Sequence, residues 1–215
     1  MNEPNTRELQ ASYDRVADEY VRRIYDELQH KPLDRQLLDR FAYMVRDRGT
    51  ACDLGCGPGQ VARYLHERGV RVCGVDLSAA MVERARRLNP GIEFHQASML
   101  RLPFADGTWA GIAAFYSIIH VPRADVPAAL RELQRVVQSG GGLLLTFHLG
   151  ADTVHLDEWW GQPVNVDFHF FRAEAMASEL EAAGWEIEEI VERDPYPEVE
   201  HQSRRVYVFA RKPPA

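Results

Sequence analysis

From Ala51 to His148 the chain alternates short apolar runs with amphipathic stretches, and that alternation constrains the fold more than any other feature. Strands are predicted near Ala51–Leu54, Val70–Val75, Ile92–His95, Gly111–Phe115 and Leu143–His148, separated by helices at Gly59–Arg68, Ala79–Leu88 and Asp125–Gln138. Such alternation implies one parallel sheet with right-handed crossovers and helices on both faces. A helix predicted at Arg172–Ala183 precedes two further strands, Glu186–Glu192 and Arg205–Arg211. Only the turn-like Asp194-Pro195-Tyr196-Pro197 and a few polar residues separate them, too few for a helical crossover, so they should pair antiparallel. The expected fold class is therefore α/β, a seven-stranded, mainly parallel sheet with an antiparallel last strand.

Two predicted helices precede this core. Leu9, Tyr13, Val16, Ala17, Tyr20, Ile24 and Leu28 recur at helical spacing over residues 6–30, and Leu33, Leu37, Leu38, Phe41 and Val45 share a face after Pro32. At 215 residues the chain fits one domain, 1–215, with residues 1–48 as a helical cap. A net charge of −7 argues against a nucleic acid as partner, since phosphate-backbone binding needs basic surface. No apolar run approaches the roughly 18 residues of a membrane span, and Met1–Gln10 lacks the apolar core of a signal peptide. Three cysteines without a secretion signal suggest a reducing, cytoplasmic location. Cys52 and Cys56 have no second Cys/His pair nearby, so no metal is expected there, and no other ligand-like spacing occurs.

The chemistry begins at Asp53-Leu54-Gly55-Cys56-Gly57-Pro58-Gly59, between the first strand and its helix. Glycine tolerates positive φ and lets backbone approach a ligand, and a strand-to-helix loop aims free N–H groups over the helix N-terminus. A dinucleotide fingerprint requires glycine at position 60, where Gln60 stands. Asp53 suits a ligand carrying an ammonium group better than a pyrophosphate. Asp76, about twenty residues past the loop, ends the second strand where an acid accepts hydrogen bonds from ribose hydroxyls; a helix N-cap is its alternative role.

Asp53–Gly59 followed by Gly74-Val75-Asp76-Leu77-Ser78-x-x-Met81 resembles the class I S-adenosylmethionine-dependent methyltransferases, a Rossmann-like superfamily. Leu102-Pro103-Phe104-x-Asp106-Gly107-Thr108-Trp109 is similar to that family's approach to the fourth strand. Arg131-Glu132-Leu133-x-Arg135-Val136-Val137-x-x-Gly140-Gly141 is similar to its entry into the fifth. The resemblance implies that Asp53, Gly55, Cys56 and Gly57 surround the methionine part of S-adenosyl-L-methionine. Asp76 would then bind the ribose and Leu77 and Met81 the adenine. Ser98 and Met99 fall where the family often has an acid beside an apolar residue for the adenine; the acid is absent here. Phe115 or Tyr116 would lie near the sulfonium. Tyr13-Asp14-x-x-Ala17-x-x-Tyr20 resembles a family start in which a tyrosine closes the methionine end, although a plain amphipathic helix uses tyrosine too.

The resemblance implies direct in-line methyl transfer to a small-molecule acceptor, with S-adenosyl-L-homocysteine as product, by a monomer or homodimer. Residues 149–171 are read as an irregular aromatic lid insertion, containing His155, Trp159, Trp160 and Phe168–Phe171. They would either shape an acceptor pocket or seal the sheet edge. Tyr116 and His120 after the fourth strand, and His169 on the insertion, are the candidate catalytic residues, with His148 and His201 as further histidines nearby. Two rival readings are a non-catalytic S-adenosylmethionine-binding regulatory protein and an NAD(P)-dependent oxidoreductase of the same architecture.

Overall fold

The computed structural model describes residues 3–214. Helix α1 (Glu3–Ile24) ends sooner than the periodicity implies, and Glu27–His30 form a separate 3-10 turn. Helix α2 (Pro32–Val45) starts at a proline, which needs no N–H there. The central sheet takes β1 (Thr50–Leu54), β2 (Arg71–Asp76), β3 (Glu93–Gln96), β4 (Trp109–Phe115), β5 (Val137–His148), β8 (Glu186–Arg193) and β9 (Arg205–Arg211). Their spatial order is β3-β2-β1-β4-β5-β9-β8. The first five are parallel, and β9 runs antiparallel to both β5 and β8. Helices α3 (Gln60–His66), α4 (Ala79–Leu88), α5 (Val126–Val136) and α6 (Ala173–Ala182) make the crossovers. The expected seven-stranded sheet is present.

Two segments differ from the sequence reading. Strand β5 begins at Val137, so the expected helix at Asp125–Gln138 is shorter and the glycines at 140–142 are strand residues. Residues 149–171, read as irregular, contain a two-stranded antiparallel hairpin, β6 (Thr153–Trp159) and β7 (Gln162–His169). Its turn places Trp160 at φ 54° and Gly161 at φ 77°. Two consecutive positive φ values give a turn whose twist matches a hairpin, but tryptophan there carries no recognisable turn signal. Val164 and Val166 are buried against Val16 of α1, with Leu9, Tyr13, Trp159 and Phe168 around them. Asn165 N–H donates to Ser12 Oγ at 2.9 Å, and its side-chain amide donates to Glu8 at 2.6 Å. The hairpin thus acquires its second layer from the first helix, which a lone pair of strands needs for stability.

The N-terminal helices are joined to the far side of the sheet by buried charge. Arg193 on β8 donates to Asp34 of α2 at 3.0 Å and to Tyr207 Oη of β9 at 2.8 Å, and it also binds Glu200. Lys31 reaches Glu27 at 2.6 Å and Glu200 at 3.3 Å. Asp34 occupies the same helical stripe as Leu37, Leu38 and Phe41, so a carboxylate faces inward where aliphatic residues are usual. Breaking a buried pair from one side strands the other charge and costs about 3–5 kcal/mol. Arg193→Met is therefore expected to lower unfolding stability by about that amount in urea titration, whereas Arg204→Met, on the exposed ion pairs with Glu192 and Asp194, should change it by less than about 1 kcal/mol.

Candidate active site

Parallel strands deliver their loops to one edge, and a cleft lies there, over the carboxyl ends of β1, β2 and β4. Gly55 (φ 74°) and Gly57 (φ 52°) form part of its floor. A Cβ on Gly55 would stand 2.2 Å from Ser117 Cβ, so only glycine lets the two loops close. Above them stand Tyr13 and Tyr20 from α1, with ring centres 6.0 Å apart.

Asp76 is the organising carboxylate. One oxygen accepts Gly57 N–H at 2.8 Å and the other Ser78 N–H at 2.8 Å, so the acid ties the glycine loop to the start of α4. Each oxygen keeps a further lone pair for a ligand hydroxyl. Burial pushes its pKa up to about 6, partly offset by those N–H groups. The helix cap is supplied instead by Ser78, whose hydroxyl accepts Met81 N–H at 3.0 Å. Asp14 of α1 accepts Ala80 N–H at 3.0 Å and binds the Ser78 hydroxyl, which fastens the first helix beside Asp76. This role of Asp14 was not read from the sequence, although an acid beside Tyr13 was its visible trace.

The cleft brings together Tyr13, Tyr20, Gly55, Gly57, Asp76, Leu77, Ser98, Met99, Phe115, Tyr116 and His120 of the expected residues. Four others stand off its wall. Asp53 is buried under the loop, where its carboxylate accepts Ala62 N–H at 2.8 Å in the first turns of α3; burial raises its pKa to about 8. Cys56 turns inward against Gly74, and Met81 packs inside α4. His169 lies at the end of the hairpin with Nδ1 2.9 Å from Thr153 Oγ1. Nothing in their spacing separates an inward from an outward side chain in a loop.

His120 is held on both ring nitrogens. Nδ1–H donates to the Asp167 carbonyl of β7 at 3.0 Å, which leaves Nε2 to accept the Tyr13 hydroxyl at 2.6 Å. Its ring packs on Tyr13 and Phe168, and burial lowers its pKa to about 4, so it is neutral near pH 7. Tyr116, at φ 50°, donates its hydroxyl to Tyr207 at 3.0 Å, because the Tyr207 proton goes to Asp34 at 3.0 Å. Among the described residues no cluster of His, Cys, Asp and Glu is arranged to hold a metal, and no helix is long and apolar enough to cross a membrane.

These features fit a nucleoside with vicinal hydroxyls and a cationic tail: a carboxylate with spare lone pairs, apolar Leu77 and Met99, glycine floor and tyrosine roof. An Asp76 carboxylate that receives hydroxyls must be ionised. Affinity for S-adenosylhomocysteine is therefore expected to fall as pH drops through about 6, where Asp76 protonates, while Asp53 stays protonated across the same range. Calorimetry should find that Asp76→Asn flattens this dependence, and that Asp76→Ala weakens binding at neutral pH by about 1–3 kcal/mol. Unchanged affinity in the folded variants would leave Asp76 as a loop clamp only.

Comparison with known proteins agrees with this geometry. Residues 51–141 match the family described as Methyltransferase domain. A malonyl-[acyl-carrier protein] O-methyltransferase of Pseudescherichia vulneris is 29% identical over 197 residues, covering 86% of this chain and 73% of the relative. A 2-phytyl-1,4-naphtoquinone methyltransferase of Thermosynechococcus vestitus is 36% identical over 142 residues, 62% of this chain and 61% of the relative. The chain spans only 54% of a further malonyl-[acyl-carrier protein] O-methyltransferase, from Enterobacter lignolyticus. Among solved structures, DhpI in its SAH complex superposes with a TM-score of 0.77 at 21% identity, covering 100% of both chains. The glycine loop, the Asp76 clamp, the sheet order and these relatives together place the chain in the class I S-adenosylmethionine-dependent methyltransferases, with S-adenosylmethionine as its cofactor.

Proposed function

We propose that the chain methylates a small-molecule acceptor by in-line displacement, with the acceptor entering between Tyr116, His120 and the β6–β7 hairpin. The observation that carries this reading is the single cleft that runs from the Asp76 clamp to Tyr116 and His120. S-adenosylmethionine, when bound, supplies an electrophilic methyl group on a sulfonium. Asp76 receives the ribose, Leu77, Ser98 and Met99 border the adenine, and Gly55 and Gly57 give the methionine end its close backbone approach. Tyr13, Tyr20 and Phe115 surround the reacting end with aromatic faces that favour a cation.

Helix α1 and the hairpin serve as cover. α1 meets β7 through Val16, Val164 and Val166, and Trp159 and Trp160 pack edge-on against Tyr20. Aromatic cover excludes water and holds donor and acceptor at near-attack separation, which supplies much of the acceleration in a displacement. The naphtoquinone in the name of one relative supports a small acceptor, and the net charge of −7 disfavours nucleic acid. One solved neighbour, the [4+2]-cyclase SpnF (TM-score 0.64, 21% identity, 84% of this chain and 81% of that one), carries this fold under the name of another reaction, so turnover is the decisive test.

Calorimetry is expected to show S-adenosylhomocysteine binding and no comparable NAD binding. Incubation with S-adenosylmethionine and a metabolite extract should release S-adenosylhomocysteine together with a product heavier by one methylene. Tight binding without product would instead support the carrier reading.

A further inference from the structure

Asp76 and the glycine loop serve the ribose and the amino-acid tail of the cofactor. The amino edge of the base has no such acid, because Ser98 stands where the family often has one. Ser98 is occupied with its own turn: its hydroxyl oxygen accepts Leu100 N–H at 3.3 Å and its carbonyl accepts Arg101 N–H at 3.0 Å. The Leu77 carbonyl accepts the Gln96 side-chain amide at 3.1 Å.

Most polar side chains of the cleft wall are likewise engaged: Tyr13 with His120, Ser78 with Met81 N–H, Tyr116 with Tyr207 and Ser117 with the Leu54 carbonyl. Among the described residues two polar side chains line the cleft without a hydrogen bond, Gln10 and Tyr20, and both belong to α1. They share one helical face with Tyr13 and Ala17, at spacings of three, four and three residues. Tyr20 rests over the glycine loop, since a Cβ on Gly57 would stand 3.6 Å from Tyr20 Cε1. Further along the helix Tyr13 is fixed to His120 and Asp14 to Ala80 N–H. Gln10 lies one turn beyond these, about 15 Å along the axis from Tyr20 at roughly 1.5 Å per residue. An extended adenosyl amino acid has a similar length, so the face that begins over the tail ends over the base.

From this arrangement we infer that Gln10 reads the adenine of S-adenosylmethionine, its side-chain carbonyl accepting the N6 amino group and its NH2 donating to the adjoining ring nitrogen. The inference rests on the cofactor assignment above. A primary amide sets an acceptor beside a donor, the complement of adenine's amino group beside an unprotonated nitrogen. It does so without a further carboxylate near Asp76, whose pKa burial and the Asp14 charge already raise. The base contact is carried by α1, outside the alternating core, whereas the ribose and tail are held by the loops after β1 and β2. Recognition of the base and closure of the helical cover are thereby one event.

The test compares, by calorimetry on the whole chain, S-adenosylhomocysteine with its analogue bearing unsubstituted purine, which lacks only the N6 amino group. The wild type is expected to prefer the amino base by at least about fivefold, the scale of one hydrogen bond. Gln10→Met keeps the length of the side chain and a good helix former. It should weaken S-adenosylhomocysteine by at least about fivefold and shrink the preference for the amino base to within about twofold. A merely structural role for Gln10 would move both ligands together and leave the preference intact, and that result overturns the inference. Equal binding of the two ligands by the wild type overturns it as well. Failure of S-adenosylhomocysteine to bind the wild type would instead bring down the cofactor assignment itself.

Discussion

The Asp76 carboxylate, shared between Gly57 N–H and Ser78 N–H, is the interaction on which the site depends. A glycine loop is entropically expensive to hold in one shape. Here one acid at the end of β2 fixes the loop after β1, and Ser117 after β4 closes it from the other side through a 2.8 Å bond to the Leu54 carbonyl. Three adjacent strand ends are thereby locked together before any ligand arrives. Asp53 performs a different task a few residues away, taking Ala62 N–H beneath the loop. Two aspartates at the ends of neighbouring strands thus divide into one that faces inward and one that faces the cleft.

The cover over this floor is built from the two parts of the chain that lie outside the alternating core. α1 is fastened by Asp14 to the turn that follows Asp76, and the hairpin is fastened to α1 by Asn165 and the valines of β7. His120 then links them, with Tyr13 on one ring nitrogen and the Asp167 carbonyl on the other. The donor cleft, the helix and the hairpin are coupled through one neutral imidazole. Around Tyr116 the coupling is ionic, through Arg193, Glu200 and Arg205.

Much of this was legible in the residues. The strand–helix alternation led to the sheet and its closing antiparallel strand, and Gly55, Gly57, Asp76, Tyr116 and His120 do share one cleft. The hairpin escaped because its turn is Trp160-Gly161 and its apolar positions are shared with α1, so no local pattern marks a buried face. Asp53, Cys56 and Met81 are assigned to the site by the resemblance and His169 by its place on the aromatic insertion, yet the fold turns each side chain elsewhere.

By itself the sequence determined what is local: strand and helix periods, glycines where φ must be positive, and an acid at the end of β2. These follow from backbone sterics and side-chain period, which act over a few residues. Tertiary structure alone decided which histidine nitrogen carries a proton, that Asp34 and Arg193 meet across the sheet, and that Arg205 keeps an unspent N–H behind Tyr116. Those outcomes depend on partners 57 and 159 positions apart in the chain for His148–Arg205 and Asp34–Arg193, and on the burial that decides their charge. The glycine loop and its carboxylate are therefore written in short-range pattern, and the surroundings of Tyr116 in long-range electrostatics.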